Sequence, residues 1–174
     1  QRELLIQSYE LIDKDYYVGI PCPCCVGVEK NLKIKNETVQ NEDNLTWANI
    51  FVNSNYKRTL SDLLPILKEK KIILIANENS NIDKAPFSIH NFFKVKPNAW
   101  LHDLDLIDKL KEEEDSVMLF CAGPFANIAV SKLHQLNKKN TYIDFGSVLD
   151  SFLGLPTTRG YLNGAATLNK ICEW

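Results

Sequence analysis

The segment from Ser116 to Ser147 constrains this sequence most, because it reads as strand, turn, helix and strand in direct succession. Val117–Cys121 is a short and almost wholly apolar run, which is typical of a parallel strand covered on both faces. Pro124 suits the first position of the helix that follows, whose apolar stripe consists of Ile128, Val130, Leu133 and Leu136. Thr141–Phe145 is the next strand, and a right-handed crossover places it parallel to the first.

The same alternation runs through most of the chain and predicts an α/β fold with an open, mostly parallel, Rossmann-like sheet and helices on both faces. Further strands are expected at Tyr16–Ile20, Ile72–Ala76 and Phe92–Val95. Helices are expected at Arg2–Leu11, Tyr56–Lys71 (kinked or shortened by Pro65), Ala99–Glu113 and Val148–Leu153. Glu29–Asn44 reads as a loop or a short exposed helix, and periodicity alone does not assign Leu45–Val52.

Length and charge limit the classes of function that the sequence allows. A chain of 174 residues that is 45% hydrophobic suits one domain over residues 1–174, and because it begins at Gln1 and not at Met, we expect an N-terminal segment to be missing. The formal net charge of −2 argues against a nucleic-acid partner. With no apolar run of membrane-spanning length and no signal peptide, we expect no membrane span and a cytoplasmic location.

The start of the helix after Val117–Cys121 is a candidate anion site. Amide groups in the first turn of a helix have no helical partner, and here they belong to Phe125, Ala126 and Asn127, directly after Gly123 and Pro124. Asp144 ends the following strand, near the loop after Cys121, where open α/β sheets bind ligands. The alternative for Asp144 is a helix-capping role over Ser147–Leu153.

Three cysteines, Cys22, Cys24 and Cys25, follow the first predicted strand in a turn that two prolines stiffen. A metal site and a reactive thiol are both open interpretations. Structural zinc usually takes two ligand pairs, and the other cysteines, Cys121 and Cys172, are single residues. Burial as small apolar side chains is the structural alternative, and the pattern favours it.

Several stretches resemble one family, the glycosyltransferases of the GT-D type fold, also called DUF1792. Ala48–Tyr56 resembles that family's Gly-Asn-Ala-Phe-Ile-Ser-Arg-Pro-Tyr segment and matches it at Asn49, Phe51 and Tyr56. Gly123–Ala126 is similar to its Gly-Pro-Thr-Ala turn, Asp144–Gly146 to its Asp-Ile-Gly, and Lys96–Ala99 to its Pro-x-x-Asn-Ala step. The resemblance covers most of Tyr16–Asp150.

The resemblance implies a glycosyltransferase that binds a nucleotide-sugar donor, with manganese or magnesium as the candidate cofactor, and transfers the sugar to a glycan or protein acceptor. Two features depart from the family: its metal-binding Asp-x-Glu segment has no counterpart in this sequence, and its arginine in the first segment is replaced by Ser54. The alternative is therefore a non-catalytic module of the same fold that recognises a sugar or a nucleotide.

Sugar transfer needs cations or N–H donors at the departing pyrophosphate and a carboxylate nearby. The candidate catalytic carboxylates are Asp144 and Asp150. Arg159, whose guanidinium pairs with two phosphate oxygens at once, joins Gly123–Asn127 as the candidate donor-phosphate site, with an exposed loop arginine as the alternative. The candidate sugar-binding residues are Asn49, Asn53, Asn55 and Tyr56, although asparagines at a segment end also cap and turn the chain.

Overall fold

The structure is a computed structural model that describes residues 1–157 and 159–163, so that Cys172 lies outside the described residues. Its strands are β1 (Val18–Ile20), β2 (Leu45–Trp47), β3 (Ile72–Asn77), β4 (Ile89–Val95), β5 (Val117–Cys121) and β6 (Thr141–Asp144). Its α-helices are α1 (Arg2–Glu10), α2 (Pro23–Val26), α3 (Val28–Glu37), α4 (Tyr56–Arg58), α5 (Leu64–Leu67), α6 (Ala99–His102), α7 (Leu106–Leu110) and α8 (Pro124–Leu136).

A four-stranded parallel sheet in the order β4-β3-β5-β6 forms the centre of the fold. The predicted α/β class and the strands expected near β3, β4, β5 and β6 are confirmed. β5 pairs with β6 from Val117 opposite Thr141 to Phe120 opposite Asp144. Helix α8 connects these two strands and begins at Pro124, as its sequence predicts.

Alternating side chains of the sheet enter two separate cores, because successive residues of a strand point to opposite faces. On one face Ile73, Ile75, Met118 and Phe120 pack with residues of α7 and α8. On the other face Ile72, Leu74 and Leu119 pack with α5 and with Phe145 and the apolar side chains that follow it. Both faces are covered, which explains why β3 and β5 are continuous apolar runs.

Strand β1 does not join the central sheet, and the prediction that Tyr16–Ile20 belongs to it is wrong. β1 pairs in parallel with β2 in a second, two-stranded sheet, so that part of the unassigned segment Leu45–Val52 supplies its partner. A Cβ on Gly19 would lie 3.0 Å from the Ala48 Cα. The backbones of the two segments can approach this closely because position 19 is glycine.

Two of the predicted helices are interrupted. The helix expected over Tyr56–Lys71 ends at Leu67 and contains a π-helical turn at Thr59–Leu63, just before Pro65, which lacks the N–H that would continue the ladder. The helix expected over Ala99–Glu113 divides into α6 and α7 at Asp103, whose φ of −114° and ψ of 22° depart from helical values and whose carboxylate accepts a hydrogen bond of 3.1 Å from the Lys96 amide.

Two further segments, Val148–Leu153 and Glu29–Asn44, are predicted from the sequence to form a helix and a loop or short exposed helix. Residues 146–154 form consecutive turns and not the helix expected at Val148–Leu153, with Val148, Leu149 and Leu153 buried against the central sheet. Part of Glu29–Asn44 is helix α3, in agreement with the second of the two predicted alternatives. In the described part of the chain, no helix has the length and apolarity needed to cross a membrane. The cytoplasmic location stays a prediction.

Two buried amide side chains attach the N-terminal segment to the small sheet. The Asn44 Nδ2 group donates to the carbonyl oxygens of Asp13, Lys14 and Tyr16 at 3.0, 3.2 and 2.8 Å. The Gln40 Nε2 group donates to the carbonyls of Tyr9 and Leu11, both at 2.8 Å. Because these residues span the end of α1 and the loop into β1, the two amides fix where β1 begins.

Replacing Asn44 by Ala should lower the free energy of unfolding by about 2 kcal/mol, because it leaves buried carbonyl groups without their donor. Urea unfolding followed by circular dichroism measures the change. Asn41→Ala is the matched control, since Asn41 is exposed three residues away. Equal unfolding midpoints for the two variants would show that Asn44 does not anchor the segment.

Candidate functional site

A cavity of about 330 Å³ opens where β6 ends and where the loops after β1 and β2 meet. It is lined by residues from four segments of the chain: Pro21, Cys22, Cys25, Ala48, Asn49, Phe51, Val52, Asn53, Asp144, Phe145, Gly146, Ser147, Arg159 and Tyr161. A larger and more open recess of about 690 Å³ lies beside Phe87, but no site residue predicted from the sequence lines it. The smaller cavity is therefore the candidate site.

Asp144 lies at the carboxyl end of β6 and lines the cavity, where the sequence predicts a ligand-binding carboxylate. Its Oδ1 atom accepts a hydrogen bond of 3.1 Å from the Gly146 amide. Its Oδ2 atom accepts one of 3.1 Å from the Asn127 side chain. The carboxylate thus holds the turn that follows β6 while it also faces the cavity. The capping alternative is wrong, because residues 146–154 form turns and not a helix.

Crowding by the protein raises the pKa of Asp144 to about 6, because the surrounding atoms replace much of the water that would stabilise the charged carboxylate. The hydrogen bonds from Gly146 and Asn127 oppose this effect and lower the pKa. Asp144 is nevertheless exposed to solvent at the cavity, and this solvent weakens the effect of the surrounding protein. A carboxyl group with this pKa changes charge close to neutral pH, which suits proton transfer.

The start of α8 lies beside Asp144 and does not itself line the cavity. Gly123 has φ +56° and ψ −140°, a conformation that favours glycine. The amide of Ala126 donates to the Gly123 carbonyl at 2.9 Å, so it has a partner, and this part of the anion-site prediction is wrong. The side chains of Phe125 and Ala126 are buried in the core, which leaves Asn127 as the side chain of this turn that reaches the site.

Arg159 is exposed and brings a positive charge to the cavity wall. Asp150, the second predicted catalytic carboxylate, is half-buried and does not line the cavity. Burial raises the pKa of Asp150 to about 6, and the nearby charge of Arg159 partly opposes this shift. Asp150 and Arg159 are therefore close enough to interact by charge.

The four predicted sugar-binding residues separate into two groups. Asn49 and Asn53 line the cavity, and Asn53 holds a left-handed backbone conformation with φ 55°. Asn55 is fully buried and its Nδ2 group donates to the Asn49 carbonyl at 3.1 Å, so it supports the loop that contains Asn49 and Asn53 from inside the protein. Tyr56 packs against Tyr161 with ring centroids 5.0 Å apart.

Two polar residues of the cavity wall, Tyr161 and Ser147, were not predicted from the sequence. Tyr161 and Ser147 join their hydroxyl groups in a hydrogen bond of 2.8 Å across the cavity wall. Asn127 was considered for its amide only, although its side chain is what contacts Asp144. The sequence signal for Tyr161 was its position two residues after the candidate Arg159. Such proximity is weak evidence that a residue belongs to a site.

The described lining residues offer one carboxylate, that of Asp144, to a magnesium or manganese ion. Magnesium in proteins is often held by one or two carboxylates together with substrate phosphates. The residues present therefore fit an ion that binds together with a diphosphate. Among the described residues, the group of three potential metal ligands close together is Cys22, Cys24 and Cys25, whose soft sulfur atoms suit other metals.

Two solved structures are similar to this chain over 97% of its length. One is described as domain of unknown function 1792 with a distinct glycosyltransferase fold; it has a TM-score of 0.65, 13% identity and 76% of its own chain covered. The other is a selenomethionine-substituted structure of the same domain, with a TM-score of 0.66, 15% identity and 70% of its chain covered. This chain has the DUF1792 glycosyltransferase fold.

The likeness confirms the fold that the sequence motifs implied, and at these identities it shows the fold alone. No family model matches the sequence, and neither does any curated protein. Within the DUF1792 fold of this chain, the segment 48–56 and the turn 144–146 both contribute cavity residues, and the turn 123–126 leads to Asn127 beside Asp144. Three of the four motifs that carried the resemblance therefore lie around one site, and Lys96–Ala99 does not contribute to the cavity lining.

Replacing Asp144 by Asn should stabilise the protein more at pH 8 than at pH 4. The pKa of Asp144 is raised from 3.8 to about 6 in the folded state, so the stability that its protonated form contributes is fully present below pH 3.8 and is lost as the pH rises through 6. Because the asparagine side chain is neutral at both pH values, the Asp144→Asn variant does not lose this stability as the pH rises. Thermal unfolding of wild type and Asp144→Asn at the two pH values measures the difference.

Asn127→Ala is the companion variant, because it keeps the carboxylate and removes a donor that lowers its pKa. This variant should lose more stability between pH 4 and pH 8 than the wild type does. A difference in Tm between Asp144→Asn and wild type that is the same at both pH values would contradict a raised pKa.

Proposed function

We propose that this chain binds a nucleotide-sugar donor in the cavity at the end of β6 and transfers the sugar to a glycan or protein acceptor. The observation that supports it best is the composition of the cavity wall. A carboxylate (Asp144), a guanidinium group (Arg159) and two amide side chains (Asn49 and Asn53) line the same space. This set contains a proton acceptor, a phosphate ligand and hydrogen-bonding groups for sugar hydroxyls.

Arg159 is the proposed ligand of the donor's diphosphate. Negative charge develops on the diphosphate as the sugar leaves, and a guanidinium group pairs with two phosphate oxygens in a fixed geometry. A hydrogen bond to a charged group of this kind contributes about 1.5–3 kcal/mol. Asp150 lies close enough to influence Arg159 by charge, and we assign it the role of positioning that side chain.

The start of α8 adds a smaller attraction. The positive end of a helix dipole contributes about 0.3–1 kcal/mol to a nearby anion. In this protein the Asp144 carboxylate is held near the start of α8 by the hydrogen bond that it accepts from the Asn127 side chain. A magnesium or manganese ion bound by the donor's phosphate oxygens would supply the charge that lets the Asp144 carboxylate and the diphosphate share the site.

Asp144 is the proposed general base. It would take the proton from the acceptor hydroxyl while the acceptor oxygen bonds to the anomeric carbon of the sugar. The bond from that carbon to the diphosphate oxygen breaks in the same step, and the nucleoside diphosphate leaves with both electrons. With a pKa raised to about 6, the Asp144 carboxylate is mostly ionised at pH 7 and accepts a proton more readily than an ordinary carboxylate does.

The alternative is a module of the same fold that binds the nucleotide or sugar without transfer. Among the described residues that line the cavity, Asp144 provides the only carboxylate, and Ser54 takes the place of the family's arginine. Binding and turnover therefore need separate measurements.

Calorimetric titration with uridine and guanosine diphosphates, with and without manganese or magnesium, tests donor binding. The wild type should bind one of them, and Arg159→Ala should weaken that binding by about tenfold or more, since 1.4 kcal/mol corresponds to a factor of ten. Arg159→Lys should lie between the two, because it keeps the charge and loses the paired geometry. Arg2→Ala, on the exposed face of α1, is the control.

Gly123→Val tests the contribution of the helix start in the same titration. A Cβ at position 123 meets no atom within 4 Å, so the valine acts by straining a backbone with φ +56° and not by crowding the protein. The shifted turn should bind the diphosphate less tightly in a protein that still folds. Equal affinity in a folded Gly123→Val would remove the helix start from the site, and no binding by the wild type would refute the proposal.

Release of sugar from a panel of uridine- and guanosine-diphosphate sugars then distinguishes the enzyme from the module. Asp144→Asn should retain diphosphate binding and lose about 10²-fold or more in turnover, because it removes the base. Tight binding without turnover of any donor by the wild type would favour the module.

A further inference from the structure

The structure brings together three sulfur atoms that have no part in the proposed transfer step. The Cys22 Sγ lies 2.8 Å from the Cys24 Sγ and 3.1 Å from the Cys25 Sγ, and all three atoms lie within 4.8 Å of one another. Cys22 is fully buried, Cys24 is half-buried and Cys25 is exposed. Cys22 and Cys25 also line the cavity, so the group forms part of its wall.

The backbone around the three cysteines is fixed from several sides. The Asn31 side chain, which is buried, donates to the Pro21 carbonyl at 2.8 Å. The Cys25 amide donates to the Cys22 carbonyl at 3.0 Å, and the Gly27 amide donates to the Pro23 carbonyl at 2.8 Å. Pro21 and Pro23 restrict φ on both sides of Cys22. Little conformational entropy therefore remains to be lost when the sulfur atoms bind a common partner.

Thiolates in this arrangement are ligands for a soft or borderline cation. Zinc takes cysteine sulfur at about 2.3 Å with tetrahedral geometry, which puts neighbouring sulfur atoms about 3.8 Å apart. The two closest pairs therefore need to open by roughly 1 Å around the ion. A zinc site with three protein ligands keeps a fourth position for water or another molecule.

We propose that Cys22, Cys24 and Cys25 form a zinc site in the wall of the cavity, with water or a cavity-bound molecule in the fourth position. The sequence pattern disfavours zinc only for a structural site, which usually takes two ligand pairs. A three-ligand site does not need the second pair. The proposal is independent of the proposed transfer reaction, because its ligands include neither Asp144 nor Arg159.

Cobalt binding to the reduced full chain tests the site. One Co²⁺ per chain should give a thiolate-to-cobalt charge-transfer band and the strong visible bands of tetrahedral cobalt, and one equivalent of Zn²⁺ should remove both. Cys22→Ser, Cys24→Ser and Cys25→Ser should each weaken Co²⁺ binding by at least tenfold. Cys121→Ser is the matched control, because Cys121 lies at the end of β5 outside the group, and it should bind as the wild type does.

Protection from alkylation keeps the proposal testable if a serine variant fails to fold. In the wild type, Zn²⁺ should slow iodoacetamide labelling of Cys24 and Cys25, located by mass spectrometry, and should raise the Tm through binding to the folded state. Absence of the cobalt bands, or bands that persist in the triple serine variant, would overturn the proposal. A disulfide within the group and no bound metal, in protein purified without reductant, would identify a redox pair instead.

Discussion

The parallel pairing of β5 with β6 is the contact on which the candidate site depends. It places Phe120 opposite Asp144. The Phe120 carbonyl then accepts hydrogen bonds from the amides of Phe145 and Gly146 at 2.9 and 3.2 Å, beyond the end of the strand. The turn that holds the Asp144 carboxylate is thus fixed to the central sheet by these backbone hydrogen bonds and by the buried side chain of Phe145. Because β5 also leads directly into α8, the same pairing sets the start of that helix beside Asp144.

A second set of contacts holds the N-terminal segment, and with it the cysteines and the small sheet, against this centre. Asp13 lies 2.7 Å from the Lys138 Nζ and 3.4 Å from the His134 Nε2 at the end of α8. Lys138, the Asp15 amide and His134 hold the pKa of the Asp13 carboxyl well below its usual range. This contact contributes stability above the ordinary pKa of the carboxyl and loses it as the pH falls. The segment that supplies one wall of the cavity therefore makes a charged contact with the end of α8.

The sequence predicts the parts of the fold whose cause is local. β5, α8 and β6 follow from an apolar run, a Gly-Pro turn and a helical stripe, and Asp144 follows from its place at the end of a strand. Sequence alone did not show that β1 pairs with β2, because three-residue strands carry little pattern and their partner is decided by contacts between distant segments. The break between α6 and α7 was missed because no Gly or Pro marks it between Ala99 and Glu113. The cavity is formed by four separate segments of the chain, so local sequence patterns could not predict that Tyr161 lines it.

Amide chemical-shift mapping of the ¹⁵N-labelled protein during titration with uridine diphosphate tests the location of the site most directly. If the donor binds in this cavity, the largest changes should occur at Gly146 and Ser147, at Asn127 in the first turn of α8, and at Asn53, with no change around the larger recess beside Phe87. Changes confined to the recess beside Phe87, or an unchanged spectrum at saturating diphosphate and divalent ion, would contradict it.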